Sequence, residues 1–189
     1  VLVSVHRNVP EDAPAESTRV LSGPGLIREQ LNGFVFEIGP ATFFQTNTLQ
    51  AEKLFAKIMD WVGDAKVQNA VDLYAGTGPI AIHLGRVAAH VSGIESNADS
   101  VRMAERNIAL NNLANVKMTC AEVEATNLSA FPAGTELVVV DPPRPGLHKR
   151  AIDTLLAVAA PTLIYVSCNP ATLARDLKLL IDGGYHLVA

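Results

Sequence analysis

The sequence predicts an α/β protein built on a parallel, doubly wound sheet. Three observations carry that expectation. From Thr42 onward, short apolar runs alternate with helical stretches, the pattern of buried parallel strands joined by crossover helices. One of these runs, ending at Tyr74, passes into a glycine turn at Gly76 and Gly78 and then into a helix start. Others end on residues able to do chemistry, Glu95, Asp141 and Cys168, at the strand ends where open sheets of this kind bind ligands.

The elements follow in order. Residues 1 to about 42 read as β, a short hairpin appendage ahead of a sheet domain over 43–189. "LVSVH" alternates, an acidic, proline-containing loop follows over 8–17, and Leu26–Leu31 and Phe34–Ile38 flank Asn32-Gly33. Asn-Gly between two such runs marks a hairpin, because both turn positions need positive φ. Gly39-Pro40 breaks the pattern, and a helix over Thr48–Val62 is capped by Asn47 and closed by Gly63. Strands are expected at Ala70–Tyr74, Val91–Glu95, Val116–Thr119, Leu137–Asp141 and Leu163–Ser167. Helices are expected near Ile80–Ala89, Asp99–Leu110 and Lys149–Ala159, with another opening at Asn169-Pro170. Over Asp99–Leu110, the residues Val101, Met103, Ala104 and Ile108 mark a core face. The chain opens on strand-like "VLVSVH" and stops in strand-like "GGYHLVA", so the domain reads as truncated at its C-terminus.

Composition narrows the function. With 49% hydrophobic and 18% charged residues, the 189-residue chain can build one core and is not disordered. Its two cysteines, Cys120 and Cys168, are too few for a disulfide framework or a four-cysteine metal or iron–sulfur site, and no metal is expected. The longest apolar stretch, Leu155–Val166, is broken by Pro161 and too short to cross a membrane, so a cytoplasmic monomer is expected. A net charge of −4 gives no nucleic-acid footprint; contact with RNA would rest on a local rim such as His148–Arg150 with Arg175 and Lys178.

Three motifs remain. "VDLYAGTGPIA", Val71–Ala81, places Gly76, Gly78 and Ala81 in a dinucleotide-type fingerprint, with Glu95 able to hold ribose hydroxyls. "VVVDPPRPGL", Val138–Leu147, ends a buried strand on Asp141 and stiffens the wall behind it with prolines. "YVSCNPATLARDL", Tyr165–Leu177, sets Cys168 at a helix N-terminus, where partial positive charge favours a thiolate nucleophile. Cys120, within "VKMTCAE", reads as a small buried hydrophobe. Asp153, Asp176 and Asp182 read as helix-surface residues.

Asp72 ahead of the glycines gives D-x-x-x-G-x-G, which resembles the first motif of class I S-adenosylmethionine-dependent methyltransferases, a Rossmann-like fold. Taken together, "FFQTN" (Phe43–Asn47), "DLYAGTG", "GIE", "DPPRPGL" and "YVSCNPATLARDL" resemble the RNA uracil-5-methyltransferase family. The resemblance implies Cys168 as nucleophile, and S-adenosylmethionine contacts from Gln45, Tyr74, Gly76, Glu95 and Asp141, with Glu122 a further candidate. It implies tRNA or rRNA as substrate and a catalytic glutamate beyond Ala189. Arg144 is a candidate donor to the base or to a phosphate. The rival readings are a class I methyltransferase acting on an exocyclic amine and a non-catalytic cofactor-binding fragment.

Overall fold

In a computed structural model of the chain, residues 2–5, 17–63 and 66–188 are described; most of the expected acidic loop at 8–17 lies outside them. Strands β1 (Leu2–Val5) and β2 (Ser17–Val20) pair antiparallel, as do β3 (Ile27–Leu31) and β4 (Phe34–Ile38). Asn32 and Gly33 turn the second hairpin at φ +48° and +83°, as Asn-Gly requires. After α1 (Thr48–Val62), the chain alternates: β5 (Val67–Leu73), α2 (Pro79–Leu84), β6 (Ala88–Glu95), α3 (Ala98–Leu110) and β7 (Val116–Cys120). Two 3-10 turns, Val123–Ala125 and Leu128–Ala130, lead to β8 (Leu137–Val140), α4 (Lys149–Val158), β9 (Thr162–Tyr165) and α5 (Pro170–Asp182).

The five later strands form one parallel sheet in the order β7-β6-β5-β8-β9, the doubly wound α/β architecture expected from the sequence. Strand β5 pairs with β6 on one side and β8 on the other, so the strand order reverses between β5 and β8. That reversal opens a crevice at the carboxyl ends of the two strands. One face of the sheet packs on Phe55 and Ile58 of α1, Ile80 and Leu84 of α2, and Leu31, Phe34 and Phe36 of the hairpin. The other face packs on Ala151, Ile152 and Leu155 of α4 and Leu180 of α5.

The β3–β4 hairpin is tied to α3 by side chains that imitate a neighbouring strand. Asn111 accepts from the Val35 N–H and donates to the Val35 carbonyl, at 2.9 and 2.7 Å. One helical turn earlier, buried Asn107 accepts from the Glu37 N–H at 2.7 Å and donates to the Glu37 carbonyl at 3.1 Å. The i, i+4 spacing on the helix matches i, i+2 on the strand. The Glu37 carboxylate is buried between Arg28 and Arg106, whose guanidinium groups hold it below the usual carboxylate range.

Two expected elements differ. The helix expected over Ile80–Ala89 stops at Leu84. There the Asn115 side chain donates to the Gly85 and Ala88 carbonyls at 2.9 Å each, turning the chain into β6, and a Cβ on Gly85 would lie 2.8 Å from Val116. The strand-like run after Gly184 carries no regular structure over residues 185–188.

Candidate active site

The crevice between β5 and β8 is floored by the turn after β5. The backbone takes left-handed φ at Tyr74 (+62°), Gly76 (+55°) and Gly78 (+85°). Such a path suits glycine and strains tyrosine. A Cβ built on Gly76 meets no heavy atom of the described residues within 4 Å, so the turn presents its backbone to open space. On Gly78 it would sit 3.2 Å from the Ala104 Cβ, so that glycine serves helix packing instead. The Thr77 carbonyl behind the turn accepts from Asn107 at 3.2 Å.

Three carboxylates converge here. Asp72, fully buried in β5, accepts from the Ala81 N–H in the first turn of α2 at 2.9 Å; its other oxygen has no hydrogen-bond partner among the described residues. Burial pushes its carboxyl well above the usual range, and the nearby Asp141 and Glu95 charges add to the shift. Glu95, ending β6, accepts from the Gly76 N–H at 3.0 Å with one oxygen and from the Asn97 N–H at 2.7 Å with the other. It thereby links the glycine turn to the cap of α3. Asp141 follows β8 beside Leu73, and burial pushes its carboxyl up to about 6.

A cationic ligand with vicinal hydroxyls fits this set: an unpartnered buried oxygen, two more carboxylates, and an open approach over Gly76. S-adenosylmethionine has that chemistry, with a sulfonium, an ammonium and a ribose. Tyr74 closes one side, its hydroxyl donating to Glu124 at 2.9 Å; burial and then Glu124 push the phenol well above its usual range. Glu124 lies on the first 3-10 turn, and Glu122, a candidate for the cofactor by resemblance, is exposed just before that turn. Gln45 is half-buried beside Phe44, whose ring packs on Phe36 at 5.6 Å, and no described contact joins it to the three carboxylates. Two concavities of about 430 and 400 Å³ lie elsewhere, beside the β3–β4 hairpin and α3.

Cys168 stands at the same end of the sheet, exposed, in the turn from β9 to α5. Asn169 caps α5 by accepting from the Ala171 N–H at 3.1 Å, and Pro170 opens it. The Asn169 amide also donates to the Arg144 carbonyl at 3.3 Å, joining the cysteine turn to the Asp-Pro-Pro-Arg loop. Cys120, expected to be buried, is exposed because it is the last residue of edge strand β7; its thiol donates to the Ser96 carbonyl at 3.5 Å. Asp176, expected on the helix surface, is fully buried: it occupies the inward stripe of α5, four residues before Leu180. The basic rim is thinner than its residue count implied, since Lys149 pairs with Asp153 and Lys178 with Asp182. Among the described residues there is no group of His, Cys, Asp and Glu that could hold a metal, and no helix long and apolar enough to cross a membrane.

Sheet order, glycine turn and acidic strand ends define a class I methyltransferase domain. The family model for the TRM5/TYW2 methyltransferase domain matches residues 27–140, and that for tRNA (uracil-5-)-methyltransferase matches residues 123–187. The chain belongs to this S-adenosylmethionine-dependent RNA methyltransferase family, and the uracil-5-methyltransferase resemblance read in its motifs is borne out. Uncharacterized RNA methyltransferases are similar, one from Clostridium tetani (36% identical; 98% of this chain, 40% of that protein) and one from Gloeobacter violaceus (45% identical; 90% and 37%). In structure the chain resembles the Pyrococcus abyssi tRNA (uracil-54, C5)-methyltransferase in complex with S-adenosyl-L-homocysteine. The TM-score is 0.75 at 35% identity, over 88% of this chain and 40% of that one. The chain thus spans about two fifths of the length of these relatives.

Proposed function

We propose that the chain methylates uracil C5 in RNA, with S-adenosylmethionine in the β5–β8 crevice and Cys168 as a covalent nucleophile. The observation that carries this reading is the juxtaposition of the Cys168 turn with the Asp-Pro-Pro-Arg loop on adjacent strands, tied by Asn169 to the Arg144 carbonyl. An enzyme methylating an exocyclic amine has no task for an exposed cysteine there.

Glu95 takes the ribose hydroxyls while keeping the Gly76 N–H, and Asp72 and Asp141 face the cationic end of the ligand. The cofactor, when bound, supplies an electrophilic methyl group. Uracil C5 is too weak a nucleophile to take it unaided. The Cys168 thiolate, favoured by the positive end of α5, adds to C6, and the electron pair of the C5–C6 bond moves toward O4. C5 would then bond to the methyl carbon as that carbon's bond to the sulfonium sulfur breaks, the electron pair staying on sulfur as the leaving thioether. Loss of the C5 proton to a base restores the double bond and expels the thiolate. Asp153 and Asp182 are paired on the surface and Asp176 is buried, so none of these three serves as that base. Donors near O4 would hold the developing charge, and exposed Arg144 is the candidate. The target uridine must leave its stack to reach Cys168. The RNA is a tRNA or an rRNA, and the reading keeps the protein cytoplasmic and monomeric, with residues 1–42 an appendage to the methyltransferase domain.

Labelled uridine-containing RNA, incubated with the protein and cofactor and run on a denaturing gel, tests this. An adduct or 5-methyluridine that vanishes in Cys168→Ala is expected. Undiminished methylation by Cys168→Ala sinks the covalent mechanism, and tight NAD binding without binding of the methyl donor sinks the cofactor assignment.

A further inference from the structure

Helix α5 carries a carboxylate where its inward stripe calls for an apolar side chain. Asp176 is fully buried and fully engaged: one oxygen accepts from the Leu147 N–H and the Tyr165 hydroxyl, each at 2.7 Å, and the other from Arg175 Nε at 2.8 Å. Arg175 reaches onward to the Pro145 carbonyl at 2.8 Å and the Leu147 carbonyl at 3.4 Å. One turn earlier, Thr172 donates to the Arg144 carbonyl at 3.3 Å, beside the Asn169 contact. The first two turns of α5 therefore grip the backbone of residues 144–147 at four groups. The loop is shaped for that grip. Gly146 lies at φ +79°, and a Cβ there would stand 2.4 Å from the Asp176 carboxylate and 2.8 Å from the Arg175 guanidinium.

A buried carboxylate persists only where donors satisfy it, and leucine would pack this stripe without that demand. What the carboxylate achieves is placement. The gripped loop begins at Asp141 and the gripping helix begins just after Cys168. We propose that Asp176, braced by Arg175, is a positioning residue that fixes the Asp-Pro-Pro-Arg loop against the Cys168 turn, setting where the uracil ring sits relative to the thiol. This rests on the role given to Cys168 above. A misplacement of about 1 Å between reacting groups costs on the order of 10²-fold in rate, so the grip has chemical consequences beyond stability.

The test uses the full-length protein with two changes on opposite sides of the contact, Asp176→Asn and Gly146→Ala. Asp176→Asn keeps an acceptor for Leu147 and Tyr165; Gly146→Ala changes no residue of α5 and sets its methyl against Asp176 and Arg175, lifting the loop. Hydrogen exchange at the Leu147 amide reports the grip, calorimetry the S-adenosylmethionine Kd, and single-turnover methyl transfer to labelled RNA the chemistry. Faster Leu147 exchange, a transfer rate down at least tenfold in Gly146→Ala and less in Asp176→Asn, and a Kd within threefold of the parent are expected. Transfer at the parent rate despite rapid Leu147 exchange overturns the positioning role, as does a loss matched by an equal loss of cofactor binding. If the parent protein transfers no methyl group to uridine, the reading of function fails instead. Iodoacetamide modification of Cys168 then decides the grip: a rate changed in both variants supports it, and a rate unchanged in both overturns it.

Discussion

The two glycines of the β5–α2 turn should fail in opposite ways when replaced by alanine. Both sit at left-handed φ, +55° for Gly76 and +85° for Gly78, so each substitution incurs the backbone cost of placing an L-residue there, about 1–2 kcal/mol. Beyond that they diverge. The added methyl at Gly76 meets nothing within 4 Å among the described residues, so the free protein should lose only the backbone term. For a domain of this size that is a Tm drop of roughly 2–4 °C per kcal/mol. The methyl projects into the space assigned to S-adenosylmethionine, however, and affinity should fall by at least tenfold, about 1.4 kcal/mol. At Gly78 the methyl meets the Ala104 Cβ at 3.2 Å and Cα at 3.6 Å, backbone-anchored atoms that cannot swing aside. Overpacking of that kind adds about 1–3 kcal/mol, so Gly78→Ala should melt well below Gly76→Ala. Its molecules that remain folded should bind the cofactor with the smaller loss. Thermal melts and calorimetry at a temperature where both variants are folded separate the two quantities. Parent-like affinity in Gly76→Ala would show that the ligand does not approach over this turn and would refute the assignment of the crevice.

Other expectations follow from the carboxylates and the core. Glu95→Ala removes the acceptor for the Gly76 and Asn97 N–H groups together with the proposed ribose acceptor, and should weaken cofactor binding by about 1.5–3 kcal/mol by calorimetry. With its carboxyl pushed up to about 6, Asp141 should make affinity rise as pH rises through 6, by up to tenfold per unit below it; a flat profile shared with Asp141→Asn would remove Asp141 from the site. The same shift acts on stability with the opposite slope: the folded state holds the Asp141 proton above the unfolded value of 3.8, so the stability this group contributes declines as pH rises from 4 to 6. His83, buried among Phe34, Phe36 and Phe55 with its Nδ1–H on the Pro79 carbonyl at 2.7 Å, is held below 6.5 chiefly by burial. The unfolded chain binds that proton first, so stability should fall as pH drops below 6.5. Urea midpoints at pH 7.5 and 5.5 should show a steeper loss in the parent than in His83→Leu; equal losses would mean that His83 is not the group titrating.

The sheet was legible because its signals are local. Strand β8, inside the sheet, buries both faces and so reads as an unbroken apolar run, Leu137–Val140. The capping Asn47 and Asn169 announce their helices by residue type alone. What stayed hidden depends on partners far apart in sequence. Nothing near Asn107 or Asn111 reveals that they face Glu37 and Val35, some 70 and 76 positions away. Cys120 reads as buried because a lone cysteine within a strand usually packs as a small hydrophobe, whereas its exposure comes from lying at the end of an edge strand, a property of sheet order. Asp176 did leave a trace: it stands four residues before Leu180 on the stripe that faces the core, where a solvated aspartate would be out of place. Its ARDL setting, rich in charge, pointed to the surface instead.

The candidate site is also the least comfortable part of the fold. Asp72 could be replaced by an apolar residue on packing grounds, since its strand neighbours Val71 and Leu73 are fully buried, and only one of its oxygens has a partner. Asp141 and Glu95 worsen its situation, each raising the cost of a second and third negative charge in the crevice. Three carboxylates around one cleft, one of them buried and half-satisfied, oppose folding of the free protein and favour whatever positive charge enters. Tyr74 adds backbone strain at the same point, with φ +62° in a residue that gains nothing locally from it. Strain and unbalanced charge therefore coincide at the strand ends, while the far edge of the hairpin, where Glu37 has two arginines, is balanced. A structural acid would show the pattern of Glu37. The pattern of Asp72 is that of a group whose partner arrives with the ligand, and this asymmetry between two buried carboxylates of one chain is the strongest physical ground for placing a cationic cofactor between β5 and β8.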